Sequence, residues 1–476
     1  MSLSKICTAL VVYISCLIGT NDLSKKHDLA IVGIDVFDTQ TKEIQEGKTV
    51  LIDGDEITAV MDASVQVKAK EIIEGKGRLM VPGFIDTHAH LNLIFENQNE
   101  FTAWPIDEDS LMPYRNKLRD NYLNYGTTTI TGMGQPESWM STSINWQKDP
   151  SPTHPNLFIA GGAMISDETR QTYMNHTEIM GPEDGRERVR TYAEMGVRHI
   201  KLYWRLQEPE MEAIINEAEK TGLIPFGHID NNIVSIQRAM DLGLRNFEHF
   251  FTLAISALKD DDGWGEVNAK YNMPRIRSTD EFAAAMSFFF GYVKDHPESH
   301  AKMVALLDRM AREGASISTT IHILAATAGK TPFFSSFEYF PIRRRPHLPG
   351  FSKEQKDQIE PAFESMMYFL KMAHDKGVKI RIGTDCRYGG KALLSELQLL
   401  HEAGFSIEDI LQIACYNGYE SMKLTEQYGS IEAGKKADLV IFNESPFSDP
   451  VNFLSSKTII KGGRVFIKSD RKLIRD

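Results

Sequence analysis

Histidines and one aspartate stand where short apolar runs of this chain end. His88 and His90 close the run at 84–90, and His228, His249 and Asp385 each close or follow a further run. Because side chains alternate along a strand, His88 and His90 point to the same side of it. Imidazole and carboxylate groups are the ligands that Zn²⁺ and related divalent ions bind in proteins. If these strand ends meet, the five side chains predict a metal site.

Lys201 ends another apolar run, in the segment 199–203. A lysine with its ordinary pKa near 10.4 is a cation that a metal ion would repel. In a dry pocket the amine becomes neutral and can add carbon dioxide, which gives a carbamate, a carboxylate able to bridge two metal ions. The alternative is a lysine that forms an ion pair with an acid, and from Lys201 alone this is the simpler interpretation.

A repeated unit positions these residues. Six times a helix-like segment ends in glycine and an apolar strand follows at once, which predicts a helix that leads directly into a parallel strand. The strands are predicted at 127–130, 197–202, 223–227, 244–247, 315–321 and 378–382, after Gly126, Gly196, Gly222, Gly243, Gly314 and Gly377.

Two more strands, at 84–90 and 157–160, raise the number of predicted parallel strands to eight. Eight such units predict an α/β fold of the (β/α)₈ TIM-barrel type, and an open, doubly wound sheet is the alternative. In a barrel the carboxyl ends of all strands converge on one mouth, so Lys201 would join the histidines and the aspartate there.

Short strands are also predicted near both ends of the chain. They lie at 30–32, 34–37, 49–52, 57–60 and 71–73, and again at 437–442, 458–460 and 464–467. We expect them to form one small β-sandwich domain made of 28–82 and 426–470, beside a barrel at 83–425.

The first 20 residues are typical of a signal peptide, with a lysine followed by an apolar run at 6–18. The run is shorter than the roughly 20 residues of a membrane-spanning helix. We therefore expect export to the periplasm or the extracellular space. Cys16 resembles the end of a bacterial lipoprotein signal, although Tyr13 stands where leucine is usual, so a lipid anchor is an alternative to plain secretion.

Composition excludes other classes of function. The formal net charge is -12 and no long basic run is present, which argues against a nucleic-acid partner. Four cysteines in 476 residues cannot form a disulfide scaffold. We expect a small-molecule substrate, contact with a membrane only through the lipid anchor, and a homo-oligomer.

Two long segments after predicted strands, at 252–300 and 325–352, carry aromatic clusters that include 288–290 and 333–334. Loops after barrel strands face the active-site end, so both segments are candidates for a lid or a substrate wall. The alternatives are that the two segments are surface loops or that they form a contact between subunits.

Tyr203 and His322 are the predicted substrate-binding residues. Tyr203 alternates with Lys201 on the same strand face, and His322 lies just past the seventh strand. Packing of Tyr203 at the barrel rim and solvation of His322 are the alternatives. Arg387 and the arginines at 343–345 are further candidates for binding a substrate carboxylate. The alternative is that they are ordinary surface arginines in contact with solvent.

With these motifs the sequence resembles the amidohydrolase superfamily, and within it the members near imidazolonepropionase and the metal-dependent Xaa-Pro and Xaa-Arg dipeptidases. The resemblance covers nearly all of the chain from residue 28 onward. The segments that carry it are 81–90, 200–202, 227–228, 248–249, 383–385 and 429–440.

The resemblance implies the barrel, the β-sandwich and a site for two metal ions. It assigns His88, His90 and Asp385 to one ion, His228 and His249 to the other, and a carboxylated Lys201 between them. Zinc is the expected metal, with manganese or another divalent ion as the alternative. One departure is the bulky segment 203–205, Tyr-Trp-Arg, where many dipeptidase-like relatives have a Ser-Gly-Gly run. Bulk there predicts a narrower pocket.

The expected reaction is hydrolysis of a C–N bond in an amide, a cyclic amide or a dipeptide. A water between two cations loses its proton near neutral pH, the resulting hydroxide attacks, and Asp385 acts as the general base. Opening of a lactone and deamination are alternatives for the same site. A non-catalytic scaffold protein is the alternative from another class, and the complete set of six ligand positions argues against it.

Overall fold

The structure is a computed structural model that describes residues 26–97, 99–106, 111–166, 171–229, 233–258, 262–330 and 348–468. The predicted leader at 1–20 with Cys16, the aromatic residues at 333–334 and the arginines at 343–345 lie outside these ranges. Within the described ranges, no helix has the length and apolar character that crossing a membrane requires.

Eighteen strands are described. They are β1 (Lys26–Phe37), β2 (Ile44–Asp53), β3 (Glu56–Asp62), β4 (Lys68–Glu74), β5 (Leu79–Pro82), β6 (Phe84–Ala89), β7 (Thr127–Gly132), β8 (Asn156–Ile159), β9 (Ala163–Ser166), β10 (His176–Ile179), β11 (His199–Leu202), β12 (Ile224–Gly227), β13 (Asn246–Phe247), β14 (Ser316–Ser318), β15 (Lys379–Arg381), β16 (Leu439–Phe442), β17 (Lys457–Lys461) and β18 (Arg464–Lys468).

Strands from both ends of the chain form one eight-stranded sheet. Its order is β18-β17-β16-β5-β1-β2-β3, and β4 pairs with β1. The antiparallel pairing of β16 with β5 joins the two ends, and buried side chains that include Ile31, Met80 and Ile441 form its core. The sandwich form of this sheet and the domain limits stay predictions.

β1 is one continuous strand where the sequence predicts two, at 30–32 and 34–37. Gly33 between them has a φ of 68°, and the register with β2 shifts beside it, between Ile31 and Ile34. A bulge at glycine kinks a strand without ending its pairing, so both segments belong to β1.

The strands from β6 to β15 pair only in parallel among the described residues. They form the sheets β6-β7-β8 and β10-β9-β11-β12-β13-β14-β15. The eight predicted parallel strands are all present, and β9 and β10 are additional. The predicted α/β class with parallel strands is confirmed. β14 is shorter than the predicted 315–321, because Thr320 has a φ of 48°, outside the range of an extended strand.

Backbone hydrogen bonds connect the two parallel sheets. Just past β15, the Ile382 carbonyl accepts from the Thr87 N–H on β6 at 2.9 Å, and the Asp385 N–H donates to the His88 carbonyl at 2.9 Å. At the other edge, β8 leads into β9 through residues 160–162. The ends of β6 and β15 therefore lie side by side.

Helices occupy most of the remaining described segments. They are α1 (Leu91–Ile94), α2 (Leu111–Asn121), α3 (Met140–Lys148), α4 (Pro182–Met195), α5 (Glu208–Thr221), α6 (Ile236–Asp241), α7 (Leu253–Ser256), α8 (Gly263–Tyr271), α9 (Thr279–Asp295), α10 (Pro297–Arg312), α11 (His322–Thr327), α12 (Lys353–Asp375), α13 (Gly389–Glu402), α14 (Ile407–Gln412) and α15 (Gly418–Ser421). α4 and α5 end at Gly196 and Gly222, whose φ values of 93° and 77° are the left-handed values predicted for these junctions.

The segment predicted as a long insertion, 252–300, is largely helical and contains α7, α8 and α9. Phe288, Phe289 and Phe290 are buried in α9, and Phe288 stacks on Tyr271 at a ring-centroid distance of 4.5 Å. These three phenylalanines therefore pack the core and do not form a lid.

Candidate functional site

The structure brings the histidines and the aspartate of the predicted site together. The Nε2 atoms of His88 and His90 are 3.2 Å apart, and His90 Nε2 lies 3.4 Å from Asp385 Oδ1. The ring centroid of His249 lies 4.4 Å from that of His88 and 4.5 Å from that of His228. All five residues lie in or just past strands whose carboxyl ends meet, as the repeat predicts.

His88, His90 and Asp385 form a group that can hold one metal ion, since their donor atoms lie within 4.8 Å of one another. Two ligands of a tetrahedral Zn²⁺ are about 3.3 Å apart when each bond is about 2.0–2.1 Å long. The separations of 3.2 Å and 3.4 Å around His90 agree with that spacing. The residues present therefore fit a metal ion.

Three of the histidines are oriented by hydrogen bonds at Nδ1. His88 Nδ1 contacts the Glu248 carboxylate, and His90 Nδ1 lies 3.4 Å from the Gly134 carbonyl. His249 Nδ1 lies 2.9 Å from the hydroxyl of Thr320, which itself donates to the Gly383 carbonyl at 2.8 Å. The carboxylate and the carbonyl can only accept, and the Thr320 hydroxyl has its hydrogen engaged with Gly383 and accepts from His249, so Nδ1 carries the proton and Nε2 presents its lone pair to the site.

Burial also keeps the imidazoles neutral, which is the form that binds metals. It lowers the pKa of His90 to about 4 and that of His228 to about 3, and it lowers the pKa of His88 and His249 well below the usual range. His228 differs from the other three because its buried Nδ1 has no hydrogen-bond partner among the described residues. This nitrogen is available to a metal ion.

Lys201 is fully buried on β11, and its Nζ has no hydrogen-bond partner within the described part of the chain. For the alternative, an ion pair with an acid, the described residues give no hydrogen bond from Nζ to a carboxylate, although the charges of Glu248 and Asp385 act on Lys201 and oppose the lowering of its pKa. Burial lowers the pKa of the Lys201 amine, which favours its neutral form. The lowered pKa makes the neutral amine that a carbamate requires more accessible than in an ordinary lysine.

Glu248 and Arg381 are a buried ion pair that the sequence analysis missed. Arg381 donates to Glu248 Oε1 at 2.5 Å, and Ser318 Oγ donates to Glu248 Oε2 at 2.8 Å. Burial raises the pKa of Glu248, but the charges around it, foremost Arg381, lower it by more, so the carboxylate stays ionised. Glu248 thereby orients His88 in the manner of the carboxylates that support metal-bound histidines.

Asp86 is a second buried carboxylate without a predicted role. Its Oδ1 accepts from the N–H groups of His88 and Thr384, both at 3.0 Å, and its Oδ2 accepts from the Thr384 hydroxyl at 2.6 Å. Burial raises the pKa of Asp86 to about 7. Asp86 therefore ties the strand that carries His88 to the segment that leads into Asp385.

Backbone strain is concentrated at this site. His249, Thr320 and Asp385 have φ values of 64°, 48° and 49°, in the left-handed region that non-glycine residues rarely adopt. The three residues follow β13, β14 and β15. Such strain typically persists where the surrounding structure holds residues for function.

Tyr203 and His322, the predicted substrate-binding residues, differ in their placement. Tyr203 lines a cavity next to the metal-ligand candidates, and its ring lies 5.1 Å from that of His228. His322 is buried at the start of α11, where its backbone N–H donates to Glu396 at 3.1 Å. The imidazole of His322 is not among the described cavity-lining groups, so its contact with substrate stays a prediction.

The cavity has a volume of about 400 Å³ and opens beside His90, His228, His249 and Asp385. Trp204 also lines it, so bulky side chains of the segment 203–205 face the cavity, and the predicted narrowing stays a prediction. Arg387, a further candidate for carboxylate binding, forms an ion pair with Glu96 instead of lining the cavity.

The parallel strands of this α/β fold gather histidines and a carboxylate at their carboxyl ends, in an arrangement that could hold a metal ion. The chain belongs to the amidohydrolase family, whose sequence model matches residues 79–465. The resemblance seen in the sequence is confirmed.

Individual relatives match shorter parts. The chain is 32% identical over 108 residues to an imidazolonepropionase of Geobacillus kaustophilus, a match that covers 21% of this chain and 25% of the relative. It is 44% identical over 161 residues to an adenine deaminase of Desulforamulus reducens, which covers 30% of this chain and 24% of the relative. The chain thus matches about a quarter of the length of these curated relatives.

A solved structure of a prolidase in complex with N-methylphosphonate-L-proline has the same fold. It superimposes with a TM-score of 0.62 at 19% sequence identity, over 92% of this chain and 98% of the prolidase. At this identity the likeness concerns the fold alone.

Proposed function

We propose that this protein is a metal-dependent amidohydrolase that holds two divalent ions and hydrolyses a C–N bond in an amide, a cyclic amide or a dipeptide. The observation that carries the proposal is the cluster of His88, His90 and Asp385, with donor atoms within 4.8 Å, together with the buried Nζ of Lys201, which has no hydrogen-bond partner among the described residues. His228 and His249 adjoin this cluster. Family membership supports the same activity.

The proposed architecture is a closed (β/α)₈ barrel next to a β-sandwich formed by both chain ends. The hydrogen bonds between the ends of β6 and β15, and the direct passage from β8 into β9, support closure of the parallel strands. The pairing of β16 with β5 supports the composite second domain. Solved structures of similar fold support both.

His88, His90 and Asp385 would hold one ion, His228 and His249 the other, and a carbamate on Lys201 would bridge them. Bound divalent ions supply an activated water and polarise the substrate carbonyl. Asp385 would accept the proton of that water and pass it to the leaving nitrogen. Glu248 and Thr320 would hold His88 and His249 with Nε2 toward the site.

A hydrolysis panel tests the proposal. Protein reconstituted with zinc or manganese in the presence of bicarbonate is assayed with Xaa-Pro and Xaa-Arg dipeptides, N-acyl amino acids, imidazolones and lactones. Cleavage of a C–N bond that stops after chelation and returns with metal supports the proposal. Protein that neither contains nor takes up metal would instead support the scaffold interpretation, and cleavage of lactones alone would support a lactonase.

Deamination is a second candidate, because the match to an adenine deaminase is 44% identical over 161 residues. The same site would then direct water to the carbon that bears an amino group. Release of ammonia from adenine and related aminopurines, measured with the same metal-loaded protein, separates this candidate from amide hydrolysis.

We also propose that the protein is exported and forms a homo-oligomer. The leader predicted at 1–20 supports export. Mass spectrometry of the mature N-terminus from the native host would distinguish cleavage from lipid attachment at Cys16, and light scattering would give the oligomeric state.

A further inference from the structure

One wall of the cavity beside the metal-ligand candidates is apolar. It is formed by residues of α7, α8, α9 and α11 and of the turn before α7. The side chains that matter here are Phe251, Ile255, Trp264, Phe282, Met286 and Leu324. We call this set the apolar wall.

The apolar wall begins directly at a metal-ligand candidate. Phe251 stacks on the imidazole of His249 with a centroid distance of 5.0 Å and an interplanar angle of 14°. Phe282 meets Phe251 edge-on at 5.7 Å. Aromatic surface therefore extends continuously from the site into the cavity.

Two members of the apolar wall remain open to solvent. Phe282 is 38% exposed and Trp264 is 40% exposed, although most large apolar side chains of the described chain are buried. Exposed aromatic side chains that line a cavity beside a candidate active site are typical of a binding surface.

The described lining carries no lysine and no arginine. Its ionisable groups are the three histidines and Asp385 at the site end, with Tyr203 nearby. Two arginines close in sequence to lining residues have other contacts, since Arg205 lies over the Trp204 ring at 5.1 Å and Arg387 pairs with Glu96. An ionised substrate group against the apolar wall would lose its hydration without gaining a cation among the described lining residues.

We infer that the substrates carry a bulky, uncharged aromatic or branched aliphatic group on one side of the scissile bond, seated against the apolar wall. This inference rests on the proposed function. Free dipeptides are expected to be poorer substrates, because a carboxylate next to the scissile bond would face Phe251 and Phe282, and no lysine or arginine of the described residues lines the cavity.

Two matched substrate sets test the inference on the metal-loaded, full-length protein. In the first, L-alaninamide carries an N-acetyl, N-phenylacetyl or N-succinyl group. In the second, N-acetyl amides of alanine, phenylalanine and aspartate vary the other side of the bond. In one of the two sets we expect the compound with the phenyl group, N-phenylacetyl or phenylalanine, to exceed its counterpart with a methyl group, N-acetyl or alanine, about 10- to 100-fold in kcat/KM. The compound with a carboxylate, N-succinyl or aspartate, should be the poorest substrate of that set.

Variants at Phe282 connect this preference to the apolar wall. Phe282→Ala should remove most of the phenyl preference, and Phe282→Arg should raise the relative rate of the carboxylate compounds. Tyr368→Ala is the matched control, because Tyr368 is 43% exposed on α12 and lies outside the cavity. It should leave the preference unchanged.

Binding measurements separate the two proposals. Calorimetry compares N-benzylacetamide with N-methylacetamide in wild type and in Phe282→Ala. A benzyl preference that Phe282→Ala removes, in protein that cleaves neither these amides nor any C–N bond of the hydrolysis panel above, supports the apolar wall and contradicts the proposed function. Hydrolysis with equal rates for phenyl and methyl compounds overturns the inference and keeps the proposed function. If the protein shows neither hydrolysis nor a benzyl preference, both the inference and the proposed function are overturned.

Discussion

Arg381 donates to Glu248 at 2.5 Å in the interior of the parallel strands, where both side chains are fully buried. Removal of one partner leaves the other charge buried without compensation, which costs about 3–5 kcal/mol. We therefore expect Arg381→Met to lower the free energy of unfolding by about that amount in urea denaturation.

Arg238→Met is the control for this prediction. Arg238 pairs with Glu208 at 2.7 Å, but both side chains are 44% exposed, so the expected loss is below about 1 kcal/mol. Equal losses in the two variants would show that burial of the Arg381 pair does not determine its contribution.

The hydroxyl of Thr320 holds His249 with Nδ1 protonated. Thr320→Val keeps the side-chain shape and removes the hydroxyl, so both tautomers of His249 become available. We expect metal affinity, measured by competition with a chelator, to fall about 10- to 100-fold.

Thr320→Ser retains the hydroxyl and should keep most of that affinity. Thr39→Val removes a buried hydroxyl that donates to the Gly429 carbonyl just after β1, outside the site, so it should leave metal affinity unchanged. Equal weakening by Val and Ser at position 320 would contradict the proposed role of the hydroxyl.

Local sequence signals were sufficient to predict eight of the ten parallel strands described, and to place the histidines at their ends. Glycine at a helix end and an apolar run after it act within a few residues, so the strand ends that carry His88, His228 and His249 follow from the sequence. The structure places these three residues close together, as expected when parallel strands bring their carboxyl ends to one place.

The supporting contacts are not local, and the sequence analysis missed them for that reason. Glu248 and Arg381 are 133 positions apart, and their pairing exists only when β13, β14 and β15 lie side by side. Likewise, the left-handed φ of Thr320 is imposed by its bonds to Gly383 and not by a threonine preference. Phe282 lines the cavity, whereas the phenylalanines at 288–290 of the same helix are buried in the core. Which phenylalanines of α9 face the cavity depends on how this helix packs.

Lys457 offers a test of pH-dependent stability away from the site. Burial lowers its pKa to about 7, while its Nζ donates to the carbonyls of Phe453 and Ser455, both at 2.7 Å. A lysine in the unfolded chain titrates near pH 10.4. Between these values the unfolded state binds more protons, so this group makes the protein more stable as pH rises.

Lys457→Met removes that dependence. From pH 7 to pH 9, wild type should gain about 2 kcal/mol relative to the variant, because the slope is about half of 1.4 kcal/mol per pH unit at the pKa and approaches that full value above it. Urea denaturation of both proteins across this range measures the difference. A constant difference would mean that Lys457 is protonated in the fold throughout.

Lys201→Ala should remove the proposed bridge and leave about one metal ion per chain in place of about two. Mass spectrometry of the metal content measures this loss. Added propionate should restore the second ion, because a small carboxylate can occupy the space of the missing side chain. Lys457→Met is the matched control, since it alters a buried lysine outside the site and should keep full metal content. Unchanged metal content in Lys201→Ala would exclude Lys201 as a bridging ligand.

Asp385→Asn separates metal binding from proton transfer. The amide oxygen can still contact an ion beside His90, where the carboxylate oxygen lies 3.4 Å from Nε2, but an amide cannot accept the proton of the attacking water. We expect most of the bound metal to remain while kcat falls by about 10²- to 10⁴-fold. Metal analysis and steady-state kinetics on the same preparation make the comparison, with Asp409→Asn, at an ion pair with Lys42 outside the cavity, as the control. An unchanged kcat in Asp385→Asn would exclude Asp385 as the general base, and parallel loss of metal and turnover would restrict its role to holding the ion.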